Sequence, residues 1–139
     1  MNNYLGKIDL SDLKKDYSTG MLGEIAFARW FTKTYEGDKI HKQNAERDFQ
    51  GIDFADEKGF TYQIKATASK TYTFNCVLDD LNWHLRANWY VCIQIHETTA
   101  YIEAIYDRKE ILNEARQSYK YDGTCFIWAK DLLQYKLEL

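Results

Sequence analysis

The chain has 139 residues, 45% hydrophobic and 28% charged, with a formal net charge of −3. That is enough for one globular domain with a real core. Neither a membrane span nor a signal-peptide pattern is expected, and three widely spaced cysteines (Cys76, Cys92, Cys125) argue for reduced thiols in the cytoplasm, against a disulfide framework or zinc site.

Residues 11–17 read as a short polar helix or turn, with Leu10, Leu13 and Tyr17 at helical spacing. A helix is predicted over 19–35, stopped by Gly37. Between Met21 and Phe31 it is apolar nearly all round, so burial is expected. Glu24 stands out there, because a carboxylate among apolar neighbours is costly unless it is paired or bound to a metal. The rival reading is a helix-start or salt-bridge glutamate.

Residues 39–49 are polar and form a loop, with one strand beginning; Lys42 and Arg47 lie there, before Asp53, placed to touch phosphate or to be solvated. A strand over 51–55 is expected to put Ile52 and Phe54 on one face and Asp53 on the other. Glu57-Lys58-Gly59 then form a hairpin loop with Gly59 in the left-handed position. The strand that follows places Phe60, Tyr62, Ile64 and Ala66 on one face and Gln63 and Lys65 on the other, roughly 6–7 Å apart. With that loop, Asp56 pairs with Phe60 and Asp53 falls opposite Gln63. A carboxylate, an amide oxygen and an ammonium then share one patch.

Residues 69–77 alternate loosely, and Lys70 and Tyr72 interleave charge and aromatic surface as single-strand binders do; a half-buried strand explains the aromatics equally well. A helix is expected over 78–88, then a strand over 89–95 buried on both faces, and its hairpin partner over 100–106. Asp107 with Glu110 opens a helix reaching about Tyr119; a short strand over 125–128 and a terminal helix or strand from Asp131 follow. The three histidines show no metal-ligand spacing. The order predicts a single α/β domain over 1–139 with a mixed central sheet flanked by helices.

The patch suits phosphodiester hydrolysis with magnesium. The ion prefers oxygens, which Asp53, Glu24, the Gln63 amide and the Ile64 carbonyl can supply, while Lys65 orients or activates the water. Glu24, Ile52-Asp53 and Gln63-Ile64-Lys65 together resemble the PD-(D/E)XK nuclease superfamily. The closest likeness is to its Asp…Gln-x-Lys variant in Mrr-type restriction endonucleases, with Holliday-junction resolvases sharing the framework. The resemblance covers about a third of the chain. It implies a restriction-endonuclease-like fold and a DNA endonuclease using magnesium or manganese, with a homodimer where both strands are cut. Asp53 and Gln63 would be metal ligands, Lys65 the catalytic lysine, and Glu24 the helix carboxylate assisting the metal. Ile52 stands in place of the proline, and Gln63 in place of the acid. The missing charge and the acidic balance leave open a silent nucleic-acid-binding module on the same framework, and the many aromatics a protein-interaction domain.

Overall fold

The computed structural model describes residues 4–43, 52–69, 71–75, 86–120 and 124–128. Six strands form the main sheet: β1 (Gly6–Asp9), β2 (Ile40–Lys42), β3 (Phe54–Asp56), β4 (Thr61–Thr67), β6 (Trp89–His96) and β7 (Thr99–Asp107). Their order is β1-β7-β6-β4-β3-β2. Only β4 and β6 run parallel, with Lys65 level with Cys92; the other pairs are antiparallel. The sheet is therefore mixed, as expected. Outside it, β5 (Thr71–Asn75), β8 (Tyr119–Lys120) and β9 (Thr124–Trp128) make a separate three-stranded sheet, β5-β9-β8. Within the stretch over 69–77, Thr71–Asn75 is thus a strand, but one that does not join the central sheet.

Helix α1 (Thr19–Thr34) begins at Ser18, whose hydroxyl accepts from the Met21 amide. Glu24 lies beyond the first turn, so the helix-start reading does not hold for it. The helix is buried along one face only, through Gly23, Ala26, Phe27, Trp30 and Phe31, while Met21 is 48% exposed. The expectation of burial all round is corrected: the apolar residues on its flanks cover the core edge without leaving solvent. Phe27 packs on Phe31, Phe54 and Tyr62 at ring distances of 5.3–5.8 Å, which fixes the helix on the β3–β4 hairpin. Gly23 lies on Ala66, where an added Cβ would come within 2.4 Å of the alanine methyl. Tyr62, Ile64 and Ala66 therefore face α1, and strand alternation turns Gln63 and Lys65 to the opposite face.

The first residues hold a feature that periodicity did not reveal. β1 is an edge strand on β7, with Gly6 tight against the Trp30 ring. Residues 11–12 form a turn, and 13–17 are irregular rather than helical. Helix α2 (Arg108–Ser118) starts where predicted, with the Asp107 carboxylate accepting from the Glu110 amide at 2.8 Å. Residues 86–88 are not helical, and the rest of the helix expected over 78–88 lies outside the described residues, as does the segment from Asp131. No helix among the described residues is long and apolar enough to cross a membrane.

Candidate functional site

The hairpin that carries the candidate residues closes as its sequence dictates. The Asp56 amide donates to the Phe60 carbonyl, the Asp56 carboxylate accepts from the Lys58 and Phe60 amides, and Gly59 takes φ +90°. Only glycine occupies that conformation without a Cβ penalty. Phe54 pairs with Tyr62 and Ala55 with Thr61, and the regular ladder ends there, so the expected pairing of Asp53 with Gln63 is not formed.

Asp53 departs from the regular strand that alternation predicted. Strand β3 starts only at Phe54, and Ile52, Asp53 and Phe54 are buried in succession. The Asp53 amide donates to the Tyr62 carbonyl, one residue short of its ladder partner, which is the geometry of a bulge. The turn aims the carboxylate back at β4, where Oδ2 accepts from the Ile64 amide at 2.7 Å. Asp53 is only 8% exposed, so this bond holds the carboxylate in a fixed position.

Two lysines flank that carboxylate from opposite faces of the sheet. On the helix side, Lys42 Nζ on β2 donates to Glu24 Oε1 on α1 and lies 3.8 Å from Asp53 Oδ1 and 5.6 Å from the Phe54 ring centre. Glu24 thus meets Asp53 through a shared ammonium. On the other face, Lys65 is half-buried. Loss of hydration pulls its ammonium below the usual lysine range, and the negative charge of Asp53 opposes that fall. Gln63 keeps its Oε1 buried with no hydrogen-bond partner among the described residues. A buried acceptor without a donor is costly, and a cation would satisfy it.

The oxygens present fit a magnesium-type ion. No group of three or more His, Cys, Asp or Glu side chains forms a cation cage among the described residues. An ion that keeps several waters needs only one or two carboxylates, however. Asp53 and Glu24 are two such carboxylates, one lysine apart, and the Gln63 amide oxygen is an acceptor without a donor.

The remaining candidates fare differently. Arg47 and Lys70 lie outside the described residues. Lys42 is engaged with carboxylates on the site itself, so its first role is to neutralise them. Tyr72 is fully buried, and its ring is no surface platform for a base. Its hydroxyl instead donates to Glu103 Oε1 at 3.3 Å and accepts from Gln94 Nε2 at 3.2 Å.

Glu103 is the residue that sequence reading passed over. The β6–β7 register runs Cys92 to Ala104 and then Ile93 to Ile102, leaving Glu103 as the extra residue of a bulge. Burial raises its carboxyl to about 7, against the lowering effect of the Tyr72 hydroxyl. Its charge and that of Lys65 both act on the buried Cys92 thiol, which burial pushes well up. The available signal was one charge inside the apolar run Ala100–Tyr106. Comparison with protein-family models, with curated proteins and with solved structures finds no match.

Proposed function

We propose that this domain is a metal-dependent phosphodiester hydrolase of the restriction-endonuclease-like kind, acting on DNA with magnesium. The observation that carries this reading is the placement of Asp53. Its carboxylate is bonded to the Ile64 amide and within electrostatic reach of Lys65, and the strand that carries both also carries the partnerless Gln63 oxygen. Asp53 and Gln63 would hold the ion, with Glu24 as a further carboxylate once Lys42 turns away. Bound there, magnesium supplies a Lewis acid for the scissile phosphate and lowers the pKa of water. Lys65 Nζ, easier to deprotonate than an exposed lysine, takes a proton from the attacking water or holds it against the phosphate charge. Lys42 balances the two carboxylates while no substrate is present, and a phosphate arriving at this corner offers its ammonium a second anion.

DNA cleavage with magnesium, compared across wild type, Asp53→Ala and Lys65→Ala, tests the assignment. Both variants should lose about 10²-fold or more in rate. Equal rates in all three proteins would remove the assigned site. One observation favours the silent-binder alternative: Lys42 already stands where a cation would compensate Asp53 and Glu24. That reading predicts salt-sensitive DNA binding with no effect of magnesium on stability.

A further inference from the structure

At the turn end of the β3–β4 hairpin lies a cavity of about 290 Å³ that the hydrolytic reading does not use. Five aromatic rings line it, those of Phe31, Tyr35, Phe60, Tyr62 and Trp89. Phe31 and Tyr62 are buried and form its deep wall, with ring centres 5.8 Å apart. Phe60 is 46% exposed, although strand alternation assigns it to the core face. It stands at the wall of this cavity instead, an apolar surface left for something else to cover.

The charges around the rings are predominantly negative. Asp38, Asp56 and Glu57 line the cavity against a single ammonium, Lys58. Asp56 is committed to its turn and to the Tyr62 hydroxyl at 2.9 Å, and Glu57 is shared with His41. The Asp38 carboxylate has no hydrogen-bond or ion-pair partner among the described residues. Three carboxylates against one ammonium favour a cation here over an anion. Aromatic faces attract cations for the same electrostatic reason, most strongly where water is excluded.

We propose that this cavity binds an organic cation, a guanidinium or ammonium group on an apolar stem, with its head at Asp38 and its stem along Phe60 and Trp89. The volume lies at the small end of ligand sites, which suits such a group. Both a free amine and a basic side chain of another polypeptide carry that chemistry.

Calorimetric titration of the whole chain separates these sources. The probes are agmatine, an acetyl-glycyl-arginyl-glycine amide, and the neutral citrulline counterpart of that peptide. Saturable binding of either cation, with the citrulline peptide at least about tenfold weaker, is the expected result. Agmatine at least as tight as the arginyl peptide identifies a free amine, and a tighter peptide identifies a protein side chain. Asp38→Asn and Phe60→Ala should each weaken the cation by about tenfold, and Asp38→Glu should retain most of it. Both positions are exposed, and unchanged urea midpoints establish that the variants fold. Equal binding of the citrulline peptide, no saturation by either cation, or unchanged affinity in both weakening variants would overturn the proposal. None of these outcomes bears on the Asp53 site.

Discussion

The seat of α1 on β4 makes a quantitative demand. Gly23 precedes Glu24, and Ala66 follows Lys65, so this contact sets the distance between the helix and the strand of the candidate site. A methyl at position 23 would lie 2.4 Å from the Ala66 methyl, more than an ångström inside the usual carbon–carbon separation. Replacing a helical glycine by alanine ordinarily gains up to about 1 kcal/mol. Overpacking of this kind costs about 1–3 kcal/mol, so Gly23→Ala should be destabilised by about 1 kcal/mol. Ala66→Gly alone loses a methyl contact and stiffness in the strand, about 1.5 kcal/mol together. In the double variant Gly23→Ala/Ala66→Gly the clash is gone. It should recover about 2 kcal/mol over additivity and be more stable than either single variant. Urea denaturation of the four proteins, read by far-ultraviolet circular dichroism with the slope held common, measures this. A double variant at the sum of the two singles, or a Gly23→Ala protein more stable than wild type, would refute the packing argument.

Two further outcomes are expected. Glu103 prefers to be protonated in the fold, so its contribution is fully present below the ordinary carboxyl range and is lost as pH rises through about 7. Glu103→Gln should therefore match wild type near pH 4 and gain on it by about 1–2 kcal/mol by pH 8.5, a figure reduced for partial solvation. A pH-independent offset in urea midpoints would contradict this. For Lys42→Met, loss of the ammonium frees the Glu24 and Asp53 oxygens, so magnesium should raise the melting temperature more than in wild type. No magnesium response in either protein would count against a cation site there.

What could be read from the chain alone was mostly local. The Asp56–Gly59 turn and the alternation of Phe60 to Ala66 set the hairpin register, because a one-residue slip would bury Gln63 and Lys65 against the helix. The strand at 89–96 was legible from its continuous apolar run, and α2 from the Asp107 cap. The bulges at Asp53 and Glu103 were not legible, since each depends on which strand lies alongside. The four-residue β1 carries too short a pattern to register, and its place beside β7 is a long-range pairing. Tyr72 reads the same whether it lines a surface or fills a core; only the meeting of β5 with Glu103 and Gln94 decides it. Glu24 was legible as a carboxylate needing a partner, but not its partner Lys42, which reaches it from another strand.

The parallel pairing of β4 with β6 divides the order in which the site is assembled. Asp53, Gln63 and Lys65 belong to one hairpin closed by a few residues, so their mutual positions can be set early and nearby in the chain. The seam that aligns Lys65 with Cys92 joins distant segments and must wait for a much larger loop to close. Until it closes, Lys65 is a hydrated lysine with an ordinary affinity for its proton. The hairpin thus carries the placement of the groups, whereas the altered basicity of Lys65 belongs to the completed domain. A partly folded chain would hold the residues in place without their chemistry.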